Sequence, residues 1–259
     1  MELCEGLAEI GNSSFAWCDL SITKLINIPN SLRRIRDGAF ACSLRTPIRL
    51  HDGVESIGTN AFGDCIFTNL RVPPLITEIP DAMLYNCKSI FSIELPYHLT
   101  EISNQALGGC YCLRNVVAFP PNAAFGDDIF IETLMGTTII SDLQQLFGSE
   151  AEIIWELKHR FDGLPIHKLV YYQSYNQGGM RNLIVAINMK SGQRQTLRSK
   201  LDPTGNHQDC LGMTPLHILT CSSVHDIELY HLIVEKYPTN LITVDRWGAL
   251  PLLTWGCTS

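Results

Sequence analysis

A short pattern that occurs five times within the first 110 residues constrains this chain more than any other feature. Each copy has an aliphatic residue, an isoleucine three positions later, then Phe or Leu five positions after that, and a cysteine close behind. Repeats of about 22 to 25 residues are typical of a solenoid, because no single unit can bury its apolar face alone. The isoleucines are Ile10, Ile35, Ile57, Ile79 and Ile102, and the cysteines are Cys18, Cys42, Cys65, Cys87 and Cys110.

A short segment of alternating apolar and polar residues lies between successive copies, at 25–29, 47–51, 69–73, 92–96 and 115–119. Alternation with a period of two predicts a β-strand with one buried face. The regular spacing predicts that these strands form the rungs of one parallel ladder. The predicted inward pairs are Ile26/Ile28, Ile48/Leu50, Leu70/Val72, Ile93/Leu95 and Val116/Ala118.

These motifs resemble BspA-type leucine-rich repeats, in their I-x-x-x-A-F-x-x-C and I-x-I-P signatures. The matching residues are Ile57, Ala61, Phe62 and Cys65, followed by Ile93, Leu95 and Pro96. The resemblance implies an α/β repeat fold, a solenoid of about five repeats over residues 1–120 with a short parallel strand per repeat. Five of the ten cysteines then occupy one repeat position, where we expect reduced thiols that pack as small hydrophobic groups.

The repeat pattern is expected to stop at Pro120, and residues 121–160 are predicted to be a helical linker. Ser141 with Gln144 and Ser149 with Glu152 each have the spacing of a capping box at a helix start. The segment 131–140 is apolar without a clear period, and its role is left open.

The last hundred residues contain a different motif, DCLGMTPLHIL at 209–219. It resembles the ankyrin signature, with Thr214 able to cap a helix and Pro215 at its first position. The resemblance implies that His217 hydrogen-bonds between repeats, and that residues 161–259 form an all-α ankyrin-like helical array whose last repeat is incomplete. Weaker copies surround Pro165 with His167, and Pro251 with Asp245. The whole layout is similar to leucine-rich-repeat families expanded in diatoms, and the abrupt ends suggest either a truncated product or a piece of a longer repeat array.

The charge pattern and the absence of familiar motifs narrow the classes of function. The net charge is −7, which offers no electrostatic attraction for nucleic acid or an anionic membrane surface. No catalytic or phosphate-binding motif occurs, so we expect no enzyme and no cofactor. The basic residues Lys190, Arg194, Arg198 and Lys200 are interpreted as a solvated face. Without a signal peptide or membrane span at the N-terminus, the expected location is cytoplasmic.

The leading hypothesis is a non-enzymatic protein-interaction scaffold, and the alternative is a fragment of a cell-surface adhesion or receptor protein. The partner protein and the oligomeric state cannot be inferred from the sequence. Recognition is predicted at outward strand positions, where Arg49 and Arg71 are expected side by side. A partner carboxylate would relieve their repulsion, or the two side chains splay apart and Glu94 lies near enough to help. The candidate partner-binding residues are Asn27, Arg49, Arg71, Glu94, Asn69, Ser92 and Asn115.

Overall fold

A computed structural model describes most of the chain in two compact units, Met1–Lys158 and His159–Ser259. The described residues are 3–20, 26, 28–43, 45, 48–117, 119–120, 122–130, 132–134, 137–139, 141–173, 202–221 and 227–251.

The first unit is a solenoid with two ladders of short parallel strands, where one strand per repeat was predicted. The predicted ladder consists of β4 (Asn69–Arg71), β6 (Ser92–Glu94) and β8 (Asn115–Val117), paired in that order. A bridge between Ile26 and Ile48 is also parallel. A second ladder, here the isoleucine ladder, contains the recurring isoleucines. Its strands are β1 (Glu9–Ile10), β2 (Arg34–Ile35) and β3 (Ser56–Ile57), then β5 (Glu78–Ile79), β7 (Glu101–Ile102) and β9 (Ala124–Phe125).

The apolar columns read from the sequence form the core of the coil. Ile26, Ile48, Leu70, Ile93 and Val116 are all buried, which confirms the predicted inward face at these positions. The five recurring isoleucines are also buried. Aromatic rings at one position stack along the solenoid axis: Phe15 lies 5.3 Å from Phe40, and Phe40 lies 5.9 Å from Phe62, measured between ring centroids.

The third side of each coil is held by main-chain hydrogen bonds between coils and by two residues per coil in the left-handed region. In the third coil these are Asn60 and Asp64, with φ of 53° and 55°. The N–H groups of these two residues and of the residue midway between them donate to the next coil, as Asn60 does to the Asp81 carbonyl at 3.1 Å. Equivalent residues are Ser13, Gly38, Ala82, Gln105 and Asp128 for the first position, and Trp17, Cys42, Asn86 and Gly109 for the second.

The structure corrects the prediction that all five recurring cysteines occupy one buried position. Cys42 adopts φ 59°, so in the second coil Ser43, and not Cys42, fills the buried position. The Ser43 hydroxyl donates to the Phe40 carbonyl at 2.6 Å. The thiols of Cys65, Cys87 and Cys110 are buried and donate to carbonyls of the preceding coil at 3.1–3.2 Å, whereas Cys18 in the first coil is exposed.

The coiled arrangement continues beyond Pro120, where the repeat pattern was expected to stop. Strand β9 pairs with β7 in parallel, with Phe125 opposite Ile102. The Leu107 N–H then donates to the Ile129 carbonyl, as in the earlier coils. A hairpin follows, formed by antiparallel β10 (Glu132–Leu134) and β11 (Thr137–Ile139), in the segment whose role was open.

Two helices complete the first unit and cover the last coil. Helix α1 (Asp142–Phe147) starts with the predicted capping box of Ser141 and Gln144, which is confirmed. Helix α2 (Glu150–Lys158) follows the predicted box of Ser149 and Glu152, with both reciprocal bonds present. The first residue of α2 contacts the end of the solenoid.

Glu150 occupies the place that another coil would take. Its two carboxylate oxygens accept the N–H groups of Ile129 and Phe130 at 3.2 and 3.3 Å. In the preceding coil the N–H at the position of Phe130 donates to the next coil. Burial raises the pKa of Glu150, although these two hydrogen bonds favour the charged form. Lys158 adds a cation–π contact, with its ammonium 4.4 Å from the Phe125 ring centroid. The helices therefore act as a C-terminal cap.

The second unit is helical in its described part. Its α-helices are α3 (Pro165–Gln173), α4 (Pro215–Cys221) and α5 (Ile227–Lys236), and its 3-10 helices are Pro203–Asn206 and Pro238–Leu241. Pro165 and Pro215 start their helices as predicted. The start expected at Ser223 with Asp226 lies outside the described residues.

Candidate binding surfaces of the solenoid

The predicted partner-binding residues do not share one exposed face. Arg49 is exposed and Arg71 is partly buried, whereas Asn27 lies outside the described residues. Ser92, Glu94 and Asn115 are only 2%, 3% and 0% exposed, so the prediction of solvent exposure was wrong for these three. Ser92 and Glu94 lie in the central strand β6, between equivalent positions of β4 and β8 about 4.8 Å away, which shields them from solvent.

Internal ion pairs already neutralise Arg71. Its guanidinium contacts the carboxylates of Asp52 and Glu94, with Nε 3.9 Å from Glu94 Oε2. For Arg71, the contact with Glu94 agrees with the alternative that Glu94 lies near enough to relieve the repulsion without a partner. A neighbouring polar column is also internally bonded, because the Asn115 amide donates to the Ser92 hydroxyl at 3.1 Å. Asn69, at the start of this column, is partly buried.

The outward face of the isoleucine ladder is accessible, and sequence reasoning missed it. Each residue immediately before a recurring isoleucine points away from the core while the isoleucine is buried. The residue before each isoleucine could have indicated this face in the sequence. However, strands of two residues are too short to show an alternation of apolar and polar side chains. We call this surface the outer ladder face; it consists of Glu9, Arg34, Ser56, Glu78 and Glu101.

The N-terminal part of the outer ladder face is electrostatically satisfied. Glu9 Oε2 accepts hydrogen bonds from Arg34 Nε at 2.7 Å and from Arg36 Nη2 at 3.0 Å. The hydrogen bonds from Arg36 and Arg34 lower the pKa of Glu9 to about 2. One carboxylate thus holds two guanidinium groups from the next coil.

The C-terminal part of the outer ladder face is acidic. Glu78 and Glu101 are exposed and stand directly opposite each other in the parallel pairing of β5 and β7. The Ser103 hydroxyl donates to Glu101 at 3.2 Å. Neither carboxylate has a basic partner within the part of the chain that the structure describes. Like charges in directly opposite positions destabilise a sheet, so a cationic partner would gain by binding here.

The buried histidines of the second unit have packing roles. His167 Nε2 lies 3.2 Å from the Met213 carbonyl, and His217 Nε2 lies 3.1 Å from the Ala249 carbonyl. Burial lowers the pKa of His167 to about 4, so this ring is neutral at pH 7. Burial also lowers the pKa of His217. The Thr214 hydroxyl lies 2.9 Å from His217 Nδ1. Each imidazole therefore ties its helix to a turn more than 30 residues away in the sequence.

Among the described residues, no group of three or more His, Cys, Asp and Glu side chains could hold a metal ion. No helix within the same residues has the length and apolar character needed to cross a bilayer.

Most of the first unit matches a known family of repeats. Residues 8–135 match the BspA type leucine-rich repeat region in six copies, which agrees with the sixth coil seen at β9. This stretch is therefore a BspA-like leucine-rich-repeat solenoid. No curated protein matches the chain.

Several solved structures are similar to part of the chain. A leucine-rich repeat protein from Bacteroides ovatus is 25% identical, with 49% of this chain and 39% of that chain covered and a TM-score of 0.38. The leucine-rich repeat protein of T. pallidum is 25% identical, with 48% and 58% covered and a TM-score of 0.44. A leucine-rich cell surface protein from Faecalibacterium prausnitzii is 34% identical, with 37% and 26% covered and a TM-score of 0.33. The aligned part thus spans less than two thirds of each of these proteins.

Proposed function

We propose that the chain is a non-enzymatic protein-interaction scaffold whose first unit binds a cationic protein segment along the outer ladder face. Leucine-rich-repeat proteins are typically interaction modules, because stacked coils present side chains at fixed spacings over an extended surface. The observation that carries the proposal is the exposed, in-register pair of Glu78 and Glu101. Arg49 remains a candidate at the edge of the predicted ladder, since it is exposed, unlike the other described members of the predicted set.

Charge reversal of the acidic pair tests this proposal. We expect the variant Glu78→Lys/Glu101→Lys to lose proteins that the intact chain retains from native extract, because opposite charges attract across interfaces and like charges repel. Retention by the intact chain should fall as salt is raised. The measurement is quantitative mass spectrometry of the captured proteins.

The matched control reverses two exposed glutamates of helix α5, in Glu228→Lys/Glu235→Lys. This variant has the same net charge as the test variant but leaves the solenoid unchanged. If the test variant retains the same proteins as the intact chain, in the same amounts, the outer ladder face is not the recognition surface. Loss of capture in Arg49→Ser alone would instead assign recognition to the predicted ladder.

The proposal includes an ankyrin-like role for the second unit as another interaction surface. Support comes from two similar turns, at Asp209 and Asp245, whose backbones contact each other through a hydrogen bond from Arg246 N–H to the Leu211 carbonyl at 3.1 Å. The histidine contacts between helices and turns are also those that the ankyrin resemblance implies. Removing residues 159–259 should leave capture through the solenoid intact if the two surfaces act separately.

We further propose a reducing, cytoplasmic location, supported by the buried cysteine thiols that donate hydrogen bonds. Titration without reductant should find Cys4, Cys18 and Cys112 reactive in the native protein, because they are exposed. Cys87 should react only on unfolding, since burial raises the pKa of its thiol well above the ordinary value. All ten thiols should be free after denaturation. Fewer than ten would favour the adhesion alternative, which predicts oxidised cysteines.

A further inference from the structure

Two turns in the second unit have the same hydrogen bonds. In each, an aspartate N–H donates to the carbonyl four residues later at 2.9 Å, and a glycine in the left-handed region closes the turn. In each, the Oδ1 atom of that aspartate accepts two further N–H groups at 2.8–2.9 Å. The turns begin at Asp209 and Asp245, so one local structure occurs twice and can be compared position by position.

The two aspartates differ at their second oxygen. Asp209 Oδ2 accepts a hydrogen bond from Arg160 Nε at 2.7 Å, and both side chains are at most 1% exposed. Asp245 is 5% exposed as a residue, and its buried Oδ2 atom has no hydrogen-bond partner within the described part of the chain. A buried carboxylate oxygen without a partner loses its hydration and gains nothing in return, which is unfavourable.

The residues around each aspartate explain this difference. Arg160 lies five residues before the helix-starting Pro165, and the equivalent residue before Pro215 is Cys210. At Asp209, Arg160 also contacts the Phe161 ring, 5.1 Å from its guanidinium carbon, and Met213 Sδ at 3.2 Å. At Asp245 the residues equivalent to Arg160, Phe161 and Met213 are the smaller Cys210, Leu211 and Ala249. We call this set the Asp245 socket; it consists of Asp245, Cys210, Leu211 and Ala249.

The socket borders solvent, because Cys210 and Ala249 are only partly buried, whereas Leu211 provides a buried apolar wall. The internal counterpart at Asp209 shows which group this arrangement holds, namely a guanidinium bonded to carboxylate and flanked by a ring and a thioether.

We propose that the Asp245 socket receives the guanidinium group of one arginine side chain from a partner protein. The guanidinium donates to Asp245 Oδ2, as Arg160 Nε does to Asp209 Oδ2 in the internal copy. Arginine fits better than lysine because its charge is spread over a planar fork of donors that is more weakly hydrated. The inference rests on the proposed role in protein binding, but it does not involve the solenoid.

Binding of a small arginine derivative to the full-length chain tests the socket. The probe is N-acetyl-arginine methylamide, and N-acetyl-citrulline methylamide is the neutral control of nearly the same shape. We expect saturable binding of the arginine probe in the millimolar range, followed by NMR or by a rise in melting temperature, and none of the citrulline probe. Asp245→Asn should weaken binding by about tenfold or more, because it removes the charge-assisted hydrogen bond.

A second variant guards against misfolding of Asp245→Asn. Cys210→Arg places an arginine where Arg160 stands in the internal copy, so it should abolish probe binding and raise the melting temperature of the second unit, whereas Cys210→Ser should do neither. Equal binding of the two probes, unchanged binding in Cys210→Arg, or no binding to the natural chain would each overturn the proposal. Charge reversal at Glu78 and Glu101 leaves the socket intact, so its outcome tests the solenoid surface alone.

Discussion

Replacing Phe62 by alanine is expected to destabilise the first unit by about 3–5 kcal/mol, the usual cost of removing a buried aromatic side chain. Phe62 is fully buried and contacts rings on both sides, Phe40 at 5.9 Å and Phe67 at 6.2 Å between centroids. Because each coil packs only on its neighbours, the cavity cannot be filled from elsewhere in the chain. Urea unfolding followed by circular dichroism should show the transition of the first unit at lower denaturant.

Two matched variants sharpen this expectation. Phe62→Leu should cost only about 1 kcal/mol, because the chain itself places Leu84 and Leu107 at the equivalent position in later coils. Phe15→Ala should cost less than Phe62→Ala, because Phe15 is only partly buried at the first coil. A loss in Phe62→Leu as large as in Phe62→Ala would show that the column requires stacked rings rather than apolar volume.

Breaking the buried ion pair of the second unit should have an effect of similar size. Arg160→Met leaves the Asp209 carboxylate uncompensated in the interior, which costs about 3–5 kcal/mol when one partner of a buried pair is removed. The double variant Arg160→Met/Asp209→Asn should recover part of this loss, since no buried charge remains. Hydrogen exchange of residues 202–221 measures the local stability of the unit.

The first unit provides a control with the same geometry. Arg114 Nε also lies 2.7 Å from a carboxylate oxygen, that of Asp142, but these side chains are 34% and 22% exposed. Arg114→Met should therefore cost less than about 1 kcal/mol through this pair. Equal losses in the two arginine variants would mean that burial does not determine the strength of these pairs.

The core residues of the solenoid could be predicted from the sequence because equivalent positions of successive coils are buried alike. The column from Ile10 to Ile102 contains isoleucine in every copy, and every member is buried in the structure. The sixth coil escaped notice because Phe125 replaces isoleucine in this column and Asn122 stands three residues before it. The prediction placed Cys42 in the buried cysteine column because of its residue type. From the second to the fifth coil the buried position is the one after the second left-handed residue, and Cys42 is itself that left-handed residue.

The exposed surface was harder to predict than the core. Period-two alternation identified which side chains of the predicted ladder point outward, but not that Glu94 would be covered and paired with Arg71. Exposure of an outward position depends on the neighbouring columns and on polar contacts between coils, which have no period in the sequence. For the same reason, the unpartnered oxygen of Asp245 is visible only after its turn is compared with that of Asp209.

The contact of Glu150 with the last coil has a consequence for how the number of repeats can change. A carboxylate can accept the N–H groups of Ile129 and Phe130, but it offers no main-chain edge on which a further strand could grow. New coils cannot be added after the cap without displacing it. An insertion of 22 or 23 residues between existing coils, by contrast, preserves every contact at the capped end. The array is therefore extensible from within, by duplication of internal units, while its terminal contact stays constant.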